Sequence, residues 1–290
     1  MTAESISNAG LNLNMRCMEV WGGNRTSRES FDLPGADAYL FSRAFEGARG
    51  GDIHYISTCG HGDIVRFLIA DVAGHGTKVA NVAARFKQLV SKHINTLDQS
   101  VLARTLNQEF MSDNDGGRFV TALMTSYHRP SGHLVVCNAG HPRPLIYRRH
   151  TDSWALLDHE LDTTVNQLLN LPFGVVEPTD YVQFAVRLRP GDIVVLYTDG
   201  LSDRPDRDQI HGESGLLDLV KTIDTDNAER FSQTLLERLS LTLEAGTPVD
   251  DETLMVVAPT ERSFEPLSMG ERFRLIGKML GIVPLEPAFK

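Results

Sequence analysis

The spacing of apolar residues changes near residue 52. Residues 1–48 are polar and rich in Gly, Ser and Asn, with few periodic segments, and residues 1–14 are expected to be flexible. Beyond them, Ile53–Thr58 and Val65–Asp71 are short apolar runs on either side of Gly60-His61-Gly62-Asp63, the pattern of two strands joined by a turn. Val79, Val82, Ala83, Phe86, Leu89, Val90 and Ile94 then recur at helical spacing, and a second helix is expected over Gln99–Met111. A run of strands follows, at Phe119–Tyr127, His133–Asn138, Pro144–Arg149, Tyr181–Leu188 and Ile193–Asp199. Turn signals at Pro130-Ser131-Gly132, Gly140-His141-Pro142 and Pro190-Gly191-Asp192 punctuate it. Two helices fill 213–244, and a last strand covers Thr253–Ala258. After Pro259 a polar linker leads to a helix near Met269–Leu280 that places Phe273, Ile276 and Leu280 on one face.

Strands in runs with helices in separate pairs predict an α+β fold. Short turns between consecutive strands make them antiparallel, so the expected core is an antiparallel β-sandwich flanked by helices. One folded domain over 15–260 is followed by a C-terminal segment, 261–290.

Composition narrows the function. The 38 acidic residues outnumber the 28 basic ones, giving a net charge of −10, which repels a phosphate backbone and argues against nucleic-acid partners. Cys17, Cys59 and Cys137 are odd in number and widely spaced, unlike a disulfide framework or a structural zinc site. The start MTAESISNAG has neither the basic nor the apolar segment of a signal peptide, and no run is long enough to span a membrane. A cytoplasmic location is expected.

Aspartates mark the ends of three apolar strands. Phe67-Leu68-Ile69-Ala70 runs into Asp71, Ile193 to Thr198 runs into Asp199, and Asp250-Asp251 precedes Thr253-Leu254-Met255-Val256-Val257. With the last strand antiparallel to the others, all would meet at one edge of the sheet, and Asp52 before the first strand would join them. Aspartate at a strand end also favours turns, so each residue alone has a bland explanation. Together, such carboxylates would raise one another's pKa unless a cation intervened. Oxygen ligands of this kind suit Mg²⁺ or Mn²⁺. Two such ions about 3.5–4 Å apart activate water for attack on phosphorus.

Five segments occur in order: Gly50-Gly51-Asp52, Asp71-Val72-Ala73-Gly74-His75-Gly76, Asn138-Ala139-Gly140-His141-Pro142, Gly191-Asp192 to Thr198-Asp199-Gly200-Leu201, and Asp250-Asp251-Glu252-Thr253. Together they resemble the SpoIIE/RsbU-like branch of the metal-dependent PP2C-type serine/threonine protein phosphatases, over residues 15–260. The resemblance implies a central β-sandwich in α-β-β-α layers. It implies that Asp71 bridges two Mg²⁺ or Mn²⁺ ions, that the Val72 carbonyl binds one of them, that Asp52 holds one ion, and that Asp199 and Asp250 hold the other. Asp203 matches a position that serves a third ion in some relatives, and its other reading is a solvated turn residue. The histidine that eukaryotic relatives place two residues after the bridging aspartate is replaced by Ala73, which leaves His75 as a candidate acid. Neither Arg49 nor Arg118 stands out as a phosphate clamp, and His141 is expected to be structural.

The implied activity is hydrolysis of phosphoserine or phosphothreonine on a protein. In the resembled branch, typical substrates are phosphorylated anti-sigma-factor antagonists, of STAS type, in bacterial partner switching. A second copy of the chain is a further candidate partner. Two rival readings are a pseudophosphatase that binds a phosphoprotein without turnover, and a two-metal phosphodiesterase. Four retained aspartates argue against the first, and the net charge of −10 against the second.

Overall fold

The structure is a computed structural model, and it describes residues 11–14, 19–23, 26–45, 50–59, 62–74, 77–112, 117–158, 169–202, 212–239 and 250–261. The C-terminal helix expected near 269–280 lies outside the described residues, as do His75, Asp203 and Arg49.

The strands are β1 (Leu11–Asn14), β2 (Glu19–Gly22), β3 (Ser27–Leu33), β4 (Ala36–Arg43), β5 (Ile53–Cys59), β6 (Ile64–Val72), β7 (Val120–His128), β8 (His133–Ala139), β9 (Leu145–Arg148), β10 (Ser153–Leu156), β11 (Gln183–Arg187), β12 (Ile193–Tyr197) and β13 (Glu252–Pro259). The helices are α1 (Thr77–His93), α2 (Gln99–Ser112), α3 (Asp199–Ser202), α4 (Gly212–Val220) and α5 (Ala228–Arg238). Sheet A has the order β1-β3-β4-β13-β12-β9-β10, and sheet B the order β11-β8-β7-β6-β5-β2. Pairing is antiparallel throughout except between β1 and β3.

Strand alternation builds the layers, because successive side chains point to opposite faces. Leu40, Val194, Leu196, Met255 and Val257 of sheet A meet Ile56, Phe67, Ile69, Leu123 and Val136 of sheet B in a core between the sheets. The other face of sheet B packs Tyr55, Leu68 and Val120 against Val79, Phe86, Leu102 and Phe110 of α1 and α2. The outer face of sheet A packs Phe41, Val195 and Leu254 against Leu216, Phe231 and Leu235 of α4 and α5. The result is the expected α+β sandwich in α-β-β-α layers. Both faces of β13 are covered, and all its residues are buried.

The N-terminal part differs from the sequence expectation. Residues 27–43 form a hairpin through Pro34 and Gly35 whose second strand pairs with β13 from Ala36 to Arg43. Gly35 adopts φ 76°, a turn conformation open to glycine. Leu11–Asn14, inside the segment expected to be flexible, adds an edge strand to β3. An unpaired strand edge recruits any extended backbone that reaches it, whatever its sequence period.

Candidate metal centre

Two sheets supply the acidic residues, where the sequence suggested one sheet edge. Asp52 precedes β5 and Asp71 lies near the end of antiparallel β6, with Ile53 opposite Ala70, so both stand at one end of sheet B. Asp199 follows β12, while Asp250 and Asp251 precede antiparallel β13, with Tyr197 opposite Leu254, so these three stand at one end of sheet A. The sandwich brings the two ends together. One carboxylate oxygen from each of Asp52, Asp71 and Asp251 lies within 4.8 Å of the others.

Asp52 and Asp251 are held firmly. Thr198 and Thr253 donate their hydroxyls to Oδ2 of Asp52 at 2.9 and 2.6 Å. The Thr198 N–H donates to the Thr253 carbonyl oxygen and the Thr253 N–H donates to the Thr198 hydroxyl oxygen, which fixes these hydroxyls across the β12–β13 pair. Asp251 accepts the Phe45 N–H at Oδ1 (2.6 Å), and the N–H groups of Gly51 and Asp52 at Oδ2. Residue 51 has to be glycine for this approach. A Cβ there would lie 2.7 Å from Val79 Cγ1 and 2.8 Å from the Val72 carbonyl oxygen. That same contact places the Val72 carbonyl beside Gly51, the residue before Asp52. Gly200 is equally constrained, since a Cβ would come within 2.0 Å of the Asp251 carbonyl oxygen.

The electrostatics of the cluster call for a cation. Burial, then the negative charges of Asp71 and Asp251, push the Asp52 carboxyl well above the usual carboxylate range, against the pull of the two threonine hydroxyls. Burial does the same to Asp71, followed by the charges of Asp199, Asp250 and Asp251. Oδ1 of Asp52 is buried and has no hydrogen-bond partner. A buried acceptor without a donor is costly, and a bound cation removes that cost. The donors are all hard oxygens, which fits Mg²⁺ or Mn²⁺.

Asp199 is half-buried and Asp250 exposed, and each acts on Asp71 through its charge. Asp251, which the sequence reading passed over in favour of Asp250, lies inside the cluster. Adjacent acids before one strand cannot be told apart by spacing, and only the tether to the 45–52 segment separates them. Arg118 is half-buried and donates to the Ala73 carbonyl oxygen at 2.7 Å, which ties it to the loop after Asp71. Asp192 stands at the far end of β12, where it accepts the N–H groups of Arg149 and Arg189 and pairs with Arg148, a turn-forming role.

His141 fastens the two sheets beneath the acids. It is buried, with Nε2 3.1 Å from the Tyr197 carbonyl oxygen and Nδ1 2.9 Å from the Thr121 hydroxyl. The carbonyl can only accept, so Nε2 carries the proton and Nδ1 accepts from Thr121. Burial holds its pKa at about 3, against the slight opposing pull of the Tyr197 carbonyl. The unfolded chain therefore binds a proton at this residue between about pH 6.5 and about pH 3 that the folded chain refuses, so stability falls as pH drops through that window. Between pH 7 and 5, urea unfolding of His141→Gln should show a loss smaller than that of the parent chain by about 2 kcal/mol. Equal losses would mean that His141 is not held neutral.

With the geometry in place, comparison with known proteins adds the following. The family model described as "Stage II sporulation protein E (SpoIIE)" matches residues 61–259. The phosphoserine phosphatase RsbU of Bacillus subtilis (strain 168) is 25% identical over 200 residues, covering 67% of this chain and 55% of that protein. The crystal structure of the RsbU and RsbW domains of Rv1364c from Mycobacterium tuberculosis aligns with a TM-score of 0.65 at 25% identity, covering 81% of this chain and 63% of that one. The PP2C phosphatase domain of SpoIIE from Bacillus subtilis, solved with a fragment of its regulatory domain, shares the fold with a TM-score of 0.63 at 17% identity, over 79% of this chain and 63% of that one. The chain thus spans little more than half the length of that curated relative.

Proposed function

The chain belongs to the SpoIIE family, and from that premise we propose that it is a metal-dependent protein phosphatase acting on phosphoserine or phosphothreonine. The observation that carries this reading is the buried, partnerless Oδ1 of Asp52, a member of a cluster of acids drawn from two sheets. Similarity to a phosphoserine phosphatase supports the reaction. The substrate in this reading is a phosphorylated anti-sigma-factor antagonist of STAS type, in a bacterial partner-switching pathway.

Asp52, Asp71, the Val72 carbonyl, Asp199, Asp250 and Asp251 would hold two Mg²⁺ or Mn²⁺ ions, and Asp203 is the candidate for a third. Bound there, the ions supply Lewis-acid polarisation of a phosphoryl oxygen and acidify water. The residues of the chain do the rest. Thr198 and Thr253 both donate to Oδ2 of Asp52, which leaves its Oδ1 without a donor. The N–H groups of Phe45, Gly51 and Asp52 fix the Asp251 carboxylate in place. Asp71 is half-buried, so part of its surface stays in contact with solvent. His75 remains the candidate for protonating the leaving serine oxygen.

The test is hydrolysis of p-nitrophenyl phosphate and a phosphoserine peptide with and without Mn²⁺. Turnover should appear with Mn²⁺ and vanish with EDTA. Full activity after exhaustive chelation would remove the metal from the reading, and metal binding without turnover would leave a pseudophosphatase.

Asp250 and Asp251 should respond differently to asparagine. Asp251→Asn turns an acceptor into an NH₂ group facing backbone N–H donors, so it should cost about 1–3 kcal/mol of stability as well as activity. Asp250→Asn should lower activity at nearly unchanged stability, since its side chain is exposed. Matching melting curves for the two variants would show that the Asp251 tether contributes nothing.

A further inference from the structure

An exposed aromatic residue stands across from Ala73, two residues beyond Asp71. β6 and β7 pair with Asp71 opposite Thr121 and Val72 opposite Val120. The register continues one step past the strand ends, where the Ala73 N–H donates to the Phe119 carbonyl oxygen at 3.0 Å. Residues two apart in extended chain share a face. Phe119 therefore lies on the face of Thr121 and Asp71, the one from which Thr121 reaches His141 between the sheets. Its neighbour Val120 is fully buried, yet Phe119 is 40% exposed. Among the described residues the other large hydrophobics this exposed are Leu97, Val101 and Val175, and none of them shares this face at the acids.

The backbone beneath the ring is fixed twice, by the Ala73 N–H to the Phe119 carbonyl and by the Arg118 guanidinium to the Ala73 carbonyl. A ring carried on a fixed backbone and left partly in water gains apolar contact on binding, with only its own two side-chain torsions to order. The acids next to it repel acidic neighbours of a phosphorylated residue, and an apolar side chain brings no charge to that boundary.

We propose that Phe119 is a specificity-determining residue whose ring receives an apolar side chain flanking the phosphorylated serine or threonine of the protein substrate. The proposal rests on the phosphatase reading given above. Covering part of the ring with a leucine side chain is worth about tenfold in kcat/KM, the scale of small hydrophobic differences in a binding site.

Two synthetic phosphoserine peptides, identical except for Leu or Ser at both residues flanking the phosphoserine, test it on the full chain with Mn²⁺. The parent chain should favour the Leu peptide about tenfold in kcat/KM. Phe119→Ser should bring the ratio near one, and Phe119→Leu should keep most of it, with melting curves confirming that both variants fold. A parent ratio near one, or a ratio that Phe119→Ser leaves unchanged, overturns the proposal. Cleavage of neither peptide, nor of p-nitrophenyl phosphate, overturns the phosphatase reading itself and this proposal with it.

Discussion

Asp71→Asn is expected to lower kcat by at least about 10²-fold, the scale of losing one major electrostatic stabiliser. Asp71 is the residue on which the acids of both sheets act. Its carboxylate oxygen belongs to the cluster with Asp52 and Asp251, and it feels the charges of Asp199 and Asp250 as well. Asparagine keeps the volume and removes the charge. The same substitution should not weaken the metal-free fold. The Asp71 carboxyl is pushed above its usual range, so its ionised form at neutral pH opposes folding, and asparagine relieves that cost. The expected signature is a large loss of turnover on p-nitrophenyl phosphate, an unchanged or higher melting temperature without metal, and a smaller rise in melting temperature when Mn²⁺ is added. Turnover within threefold of the parent chain would remove Asp71 from the centre of the mechanism.

Glu252→Gln should be the most damaging of these substitutions to stability, at about 3–5 kcal/mol. Glu252 and Arg43 face each other across the β13–β4 pair. Their side chains are 1% and 5% exposed, and Arg43 Nη2 lies 2.5 Å from Glu252 Oε2. They sit on the outer face of sheet A, in the alternation that places Phe41 and Leu254 in its helix-covered core. Glutamine leaves the guanidinium charge in that interior without its counter-charge. Replacing both residues, as Arg43→Met with Glu252→Leu, should cost less than Glu252→Gln alone, because no buried charge is left over. Urea unfolding of the single and double variants decides this. A double variant as unstable as the sum of its singles would mean that the two residues do not act as a pair.

From residue 53 onward the sequence showed most of its strands and helices, because period-two runs and the helical spacing from Val79 to Ile94 were interrupted by clear turn residues; the four-residue β10 and α3 were not expected, being too short to show a period. The β3–β4 hairpin was hidden for a physical reason. β3 buries only Phe31 and Leu33, while β4 is covered on both faces and carries buried Asp37, Ser42 and Arg43 among its apolar residues, so neither strand alternates cleanly. Pro34-Gly35 between two short mixed runs was the one signal present. In the candidate site, Asp52, Asp71, Asp199 and Asp250 could be picked out as acids at strand ends. Their division between two sheets, the threonine hydroxyls on Asp52 and the tether on Asp251 depend on registers between residues as much as 211 apart. No local pattern encodes such pairings.

The partnership of β4 with β13 also sets an order of events on the ribosome. The two strands join residues about 209 positions apart, such as Arg43 and Glu252. At about 5–20 residues per second, the hairpin emerges about 10–40 s before the strand that completes it. For that interval one flank of β4 lacks its native neighbour, a state that invites pairing with strands of other nascent chains and that holdase chaperones relieve. A translation product interrupted before residue 250 carries Asp52, Asp71 and Asp199 but lacks Thr253, one of the two hydroxyls that orient the first of them.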